Sequence, residues 1–447
     1  PAADRPNATD LSADPTSALS PTGVFRDSLG WYLGISSYWF ATSLKWFILF
    51  LLQPLQVASV VPGGEKNGAW GLVVALGATE AMIGPALMGY LSDRCGSRWG
   101  RRRPFIAIGA ALTAVALLFL GQASSLWMMI AGYLFLQISD DVATGPYSAI
   151  IPDVVPKNHR GRASGIMSLL QLVAQIAAVA IALPLGNFFY IYTAVAVINI
   201  LCALIVLRVI REPRFVFPVG AGPVATPASQ ATLWVRMQRG AAHWLAPFRS
   251  ADFRWVWFTR FLCAFGFYLI LLYVSNYLTD RVETFRVLGL NVGSVKNAAL
   301  VAGLAISLAG AAASVPAGKL ADRIGRKKVV VFAGWLMFAT LVPFALVPNY
   351  TVIIALALLF GIGYGAYLSA SWALATDVLP SKEDAAKDMG IWQASVATPQ
   401  ILTGAVGFLV DAGNKVGTGM GYTFAFLLSA VMFLMGCLLV TKVKGST

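Results

Sequence analysis

Charge is scarce in this chain of 447 residues: Asp, Glu, Lys and Arg make up 12% of it, where a soluble domain carries roughly 25%. That shortage excludes an ordinary cytosolic enzyme and, with 58% hydrophobic residues, excludes a disordered protein as well. Histidine is scarcer still. His159 and His243 are the two present, too few for a His-built metal cluster, and neither an HExxH nor a GxSxG pattern occurs. The four cysteines are widely spaced, Cys202, Cys263 and Cys437 in apolar runs and Cys95 in a basic loop. No disulfide and no metal site are expected of them. With no catalytic motif and no sizeable polar domain, no enzyme activity is expected. What is abundant is apolar surface, with a mean hydropathy of +0.72, and this reads as an integral membrane protein. The net charge of +13 is attributed to loops under the positive-inside rule, with no nucleic-acid partner.

Residues 1–28 are polar and lack the basic and apolar regions of a signal peptide, so a disordered cytoplasmic tail is expected there. Twelve hydrophobic runs follow, each long enough to span a bilayer. Six lie at about 31–60, 70–91, 104–121, 126–151, 163–184 and 188–209, and six at about 255–278, 297–317, 329–347, 351–375, 389–410 and 421–441. The fold class is therefore all-α, with a six-helix half over 29–210 and another over 251–443, and a short tail at 444–447. Between them, 211–250 alternates Leu233, Trp234, Met237, Trp244, Leu245 and Phe248 with arginines. This reads either as a segment lying on the membrane surface or as a linker with aromatic anchors. With the N-terminus inside, 26 Lys and Arg fall in cytoplasmic segments and five outside, with Lys45 and Arg260 inside helices. Both termini are expected in the cytoplasm and the protein in the plasma membrane, the inner membrane if bacterial.

Two motifs recur at nearly one spacing. Gly89-Tyr90-Leu91-Ser92-Asp93-Arg94, followed by Gly100-Arg101-Arg102-Arg103, joins the second and third runs; Gly318-Lys319-Leu320-Ala321-Asp322-Arg323, followed by Gly325-Arg326-Lys327-Lys328, joins the eighth and ninth. The two aspartates are 229 residues apart, and Asp153-Val154-Val155-Pro156 recurs as Asp377-Val378-Leu379-Pro380 after 224. Two homologous halves follow from this. The pattern resembles the major facilitator superfamily, with its G-x-L-x-D-R-x-G-R-[RK] loop. That resemblance implies two halves rocking about a midplane cavity, with Asp93, Arg94, Arg101, Arg102, Asp322, Arg323 and Arg326 forming a cytoplasmic gate. An aspartate beside arginines can make charge-assisted bonds in one state and release them in another. Leu91-Ser92-Asp93-Arg94-Cys95 with Arg98-Trp99-Gly100-Arg101-Arg102-Arg103-Pro104-Phe105-Ile106 looks like the plant sucrose transporters and the melibiose carrier, within the glycoside and sugar cation-symporter branch. Gly145-Pro146 is similar to the sucrose group.

An ionisable group near the bilayer centre costs about 3 kcal/mol or more and is a functional candidate by default. Lys45, Glu80, Asp140, Asp141 and Arg260 qualify. Counted from the helix ends, Lys45, Glu80 and Asp140 all lie about 20 Å deep at ~1.5 Å per residue, so pairing is expected. Asp141 is turned ~100° from Asp140. The same group also reads as a static buried network, and Arg260 either has a role or snorkels to the nearby border. The melibiose-carrier resemblance places Glu80 and Asp140 at cation-coupling acids and Lys45 near a lysine, with Gly84 where that carrier has a second helix-two acid. One lost carboxylate disfavours sodium, so a proton is the expected coupling ion, taken up on Asp140 or Glu80, with sodium the lesser alternative.

Sugar sites join hydrogen-bonding groups to flat aromatics. The expected lining comprises Lys45, Asp140, Thr144, Tyr147, Gln171, Gln175, Tyr364, Trp372, Trp392, Gln393 and Gln400, although each aromatic taken singly also reads as packing. The resulting expectation is a monomeric secondary transporter without cofactors, carrying a sugar or glycoside with protons by alternating access. The competing reading is a proton-coupled drug or amphiphile antiporter.

Overall fold

The computed structural model describes residues 25–148, 150–156, 159–210, 246–378 and 385–444. The expected tail as far as residue 24 and residues 445–447 lie outside the described residues, as does 211–245 with its tryptophans and its two readings. So do the side chains of Asp93, Asp153, Ser168, Asp322, Trp372, Asp377 and Gln393.

Helix one runs from Leu29–Ala58, its first turn closed by Ser28, whose hydroxyl accepts from the Trp31 amide at 3.3 Å. Helix two comes in two pieces, Lys66–Ala81 and Gly84–Asp93. Helices three to six are Arg103–Gly121, Leu126–Ser148 with a short continuation over Ile150–Val154, Arg160–Ala182 and Phe188–Val209. Helices seven to twelve are Ala251–Arg281, Val295–Ile324, Arg326–Leu346, Tyr350–Asp377, Ala385–Val416 and Met420–Leu439. A two-residue hairpin, Arg286–Val287 with Leu290–Asn291, joins seven to eight. Nine of the described helices are long and apolar enough to cross a membrane by length and composition. Among the described side chains helix five is apolar over the shorter stretch Leu169–Ala182, while helix two is interrupted and helix four carries two aspartates. Polarity has been concentrated where the bundle, not lipid, must satisfy it.

Helices one to six pack among themselves, as do seven to twelve, and the halves meet mainly where two crosses eleven, with lesser seams of one on seven and five on eight. Helix two and helix eleven approach at glycine. A Cβ on Gly71 would overlap the Gly404 carbonyl oxygen, and one on Gly404 would overlap that of Gly71. Only hydrogen permits this crossing, the small-residue contact by which membrane helices gain packing without a hydrophobic drive. Gly404→Leu is expected to wedge the two helices apart. A cysteine at Glu65 should then label faster with a membrane-impermeant thiol reagent than in the parent carrying the same cysteine.

Beside that crossing lies a polar seam, at the end of the molecule away from the basic loops. The Asp411 carboxylate accepts from the Asn67 amide at 3.3 Å, the Asn67 side chain at 2.8 Å and the Gly68 amide at 2.6 Å. It thus caps the start of helix two from the other half. Lys66 donates to Asp280 Oδ1 at 2.5 Å, and Tyr422 to Asp280 Oδ2 at 2.6 Å. Asn276 donates to Asn67 Oδ1 at 2.9 Å. On the opposite flank Lys296 donates to the carbonyls of Ala182 at 2.8 Å, Leu183 at 3.3 Å, and Leu185, closing the end of helix five. The C-terminal half therefore caps two helices of the N-terminal half, each with the charge its dipole favours. The halves are thus tied together on two flanks of this far face.

Candidate functional site

Lys45 and Trp46 are neighbours on helix one, so their side chains leave it about 100° apart and serve different surroundings. Ser43, Trp46, Phe47 and Phe50 form the stripe facing a central cavity. Lys45 faces helix four, fully buried, and its ammonium is ion-paired with Asp140 Oδ1. The other Asp140 oxygen accepts from the Trp46 indole at 2.9 Å. Both oxygens of a carboxylate that is itself only 3% exposed are thereby engaged. A buried pair of this kind holds together because neither charge is left alone.

Asp141, one position on, turns toward helix two. It lies within hydrogen-bonding reach of Glu80 and Gln137, and Thr144 Oγ1 stands 3.5 Å from its Oδ1. The opening between the two pieces of helix two, at Met82 and Ile83, adjoins this meeting point. A Cβ on Gly84 would strike both Glu80 Oε1 and Asp141 Oδ2. The missing side chain is therefore the space in which the two carboxyls meet. Lys45, Asp140 and Asp141 are buried and Glu80 is half-buried, so three carboxyls and one ammonium lie together across helices one, two and four.

The cavity has a volume of about 790 Å³ and lies between the halves, bounded by helices one and five on one side and seven to ten on the other. Among the described residues no charged side chain lines it. Trp46 is the connection: its ring lies on the cavity wall and its N–H on Asp140. Across the cavity Phe267 and Tyr364 stack at 4.5 Å and 4°, and the Tyr268 hydroxyl accepts from Gln400 at 2.8 Å. Phe50 and Tyr268 bring the halves within 6.0 Å, ring to ring. Arg260 does not snorkel to the border. It is 9% exposed, with its guanidinium 3.6 Å above the Trp392 ring.

Of the expected lining residues, Gln171, Gln175 and Tyr364 are on the wall, Gln400 reaches it through Tyr268, and Trp392 lies under Arg260. The helix-four stripe is different. Tyr147 donates to the Ile35 carbonyl and Thr144 to that of Asp140, so both hydroxyls are used within the N-terminal half. Lys45, Asp140, Thr144 and Tyr147 form no part of the cavity lining, because helix four turns this stripe toward helices one and two. Trp372 and Gln393 fall among the side chains not described.

Of the expected gate, Arg94 lies 3.4 Å over the Tyr90 ring. Ser92 donates to the Arg101 carbonyl at 2.9 Å, and Arg102 donates to Ser92 Oγ at 3.3 Å. Arg323 is exposed and Arg326 half-buried. The cysteine reading omitted one closeness: Cys263 and Cys437, both thiols, have sulfurs 3.7 Å apart. Sequence reasoning also missed Trp46, Tyr268 and the far-face caps. Asp411 lies one residue past the expected eleventh run, and a count of Lys and Arg alone passes over Asp280.

The family model of the Major Facilitator Superfamily matches residues 31–306 and 284–445. The chain belongs to the Major Facilitator Superfamily. Within the superfamily it is 27% identical over 172 residues to sucrose transport protein SUC4 of Arabidopsis thaliana, covering 33% of this chain. That stretch spans 34% of the plant protein's length. It is 24% identical over 351 residues to multidrug resistance protein MdtG of Proteus mirabilis (strain HI4320), covering 76% of this chain and 80% of that one. Among solved structures, a bacterial homologue of the human lysosomal transporter Spinster, in an inward-facing and occupied conformation, superposes with a TM-score of 0.68 at 17% identity, covering 92% of this chain and 96% of the other. The fold is thus the facilitator fold, and the protein is a membrane transporter.

Proposed function

We propose that the protein is a secondary active transporter that carries a sugar or glycoside together with protons by alternating access. The observation behind this reading is Trp46, which touches the cavity with its ring and the buried acid cluster with its N–H. A sugar ring stacked on that indole would bear directly on the hydrogen bond to Asp140. With three carboxyls against one ammonium, charge balances only when the cluster also holds protons, which gives coupling a physical seat. A proton delivered to Asp140 frees Lys45 to turn to a remaining carboxylate, one delivered to Glu80 is shared with Asp141 beside it, and the proton leaves on the other side once the halves have rocked. The far-face seam and the basic loops at the opposite end fit a carrier caught open toward the cytoplasm. On this reading both termini are cytoplasmic, the gate includes Asp93 and Asp322, and the coupling ion is a proton.

The second reading is a proton-coupled antiporter for drugs or amphiphiles. It is favoured by the longer likeness to MdtG and by a cavity wall without charged side chains among the described residues. Counterflow of labelled sucrose, maltose and melibiose in proteoliposomes, with and without an imposed pH or sodium gradient, separates the two. Saturable uptake accelerated severalfold by inward-directed protons is the expected result. No glycoside uptake, combined with dye or drug efflux that dissipates the pH gradient, would transfer the assignment to the antiporter.

A further inference from the structure

The cavity is not uniform along its length. Its amide-bearing wall residues, Gln171 and Gln175, lie on helix five, and Trp46 and Tyr268 lie near the middles of helices one and seven. Beyond them the cavity runs on toward the far face, inside the C-terminal half. There its walls are Leu341 and Phe344 of helix nine and Ile353, Leu356, Ala357 and Phe360 of helix ten. Phe344 stands two residues from the end of helix nine, and Ile353 three from the start of helix ten. At ~1.5 Å per residue this end reaches within about 5 Å of the helix ends. Thr340, which also lines the cavity, donates its hydroxyl to the carbonyls of Leu336 and Met337 in its own helix at 3.0 and 2.9 Å. It offers no free donor.

A water needs two to four polar partners, and apart from Thr340 the side chains named here are apolar. Apolar walls of this kind instead reward a group that sheds its own water. We propose that the chamber receives an alkyl or aryl substituent of the substrate, so that the cargo is amphiphilic, with a polar head held between Trp46, Gln171, Gln175 and Tyr268 and an apolar tail between helices nine and ten. The identity of the head as a glycosyl group rests on the function proposed above; the tail does not. An apolar chain could also come from a bilayer lipid lodged in the chamber, and the test separates the two.

The full chain in lipid nanodiscs is titrated calorimetrically with methyl, butyl and hexyl β-D-glucosides, and with ethyl- and hexyltrimethylammonium, each corrected with empty nanodiscs. Affinity is expected to rise about fourfold for each methylene that enters the chamber. In Ala357→Phe and Leu356→Phe, which fill it, the gain from methyl to hexyl should collapse to a few-fold or less. The series on the unaltered protein stands by itself if either variant fails to fold. A rise with chain length seen only on the trimethylammonium head, with no glucoside bound, supports the chamber and overturns the glycoside reading. A flat series on both heads overturns the chamber. So does a phospholipid retained one-to-one through purification that hexyl glucoside fails to displace, since the chamber then belongs to the bilayer.

Discussion

Asp140→Asn is expected to abolish accumulation of substrate against a gradient while leaving exchange of substrate across the membrane, and to lower stability by about 3–5 kcal/mol. The two effects have separate causes. The amide can still accept from the Trp46 indole, so the cavity wall keeps its shape. It can neither balance Lys45 nor carry a proton, so a buried ammonium is left uncompensated and coupling is lost. Lys45→Met with Asp140→Leu removes both charges together, and replacing a buried ion pair with apolar groups of similar volume is often neutral. Melting of the detergent-solubilised double variant should return to within about 1 kcal/mol of the parent, with accumulation still absent. Should Asp140→Asn accumulate substrate at the parental level, the pair is a static strut and the coupling proton belongs to Glu80 and Asp141.

The twelve helices were legible because long apolar runs have few alternatives, and their charged ends, such as Lys66 and Arg281, explain why several extend beyond the runs. The interruption in helix two was less legible. Pro85 removes a backbone donor and crowds the preceding turn, yet Pro54, Pro146, Pro316, Pro343 and Pro399 lie within helices that continue past them. Gly145 precedes Pro146 as Gly84 precedes Pro85, so what distinguishes Pro85 is the room that Gly84 leaves for two carboxyls, and that room is visible only once helix four is in place. The pairing of Lys45 with Asp140 could be anticipated from depth, since helical rise turns residue number into distance. Rotation could not be anticipated. Whether Trp46 or Lys45 faces the cavity depends on which way helix one is turned about its axis, and no local sequence pattern records that. The same uncertainty sent Thr144 and Tyr147 to the cavity in the sequence reading, while the packed bundle spends their hydroxyls inside the N-terminal half.

The charged caps of the far face should set the balance between the two orientations of the carrier. A charge of the right sign at a partly buried helix end contributes up to ~2 kcal/mol, and Asp411 and Lys296 each close an end that belongs to the other half. Removing either, in Asp411→Asn or Lys296→Met, is therefore expected to raise the ratio of far-open to far-closed molecules by up to about thirtyfold. The two together should raise it further, because they sit on different seams and share no partner. Spin labels at Glu65 on the helix-two side and Val416 on the helix-eleven side, the latter 80% exposed, report the separation directly. A second, longer distance should appear in each single variant and dominate in the double. The Lys66–Asp280 contact is a weaker candidate, because Asp280 is 29% exposed in its side chain and solvent screens a pair of that kind. If the distance distributions stay at the parental one in both single variants and in the double, the seal is carried by the Gly71–Gly404 crossing. Backbone packing, which has no charge to titrate, would then set the resting state.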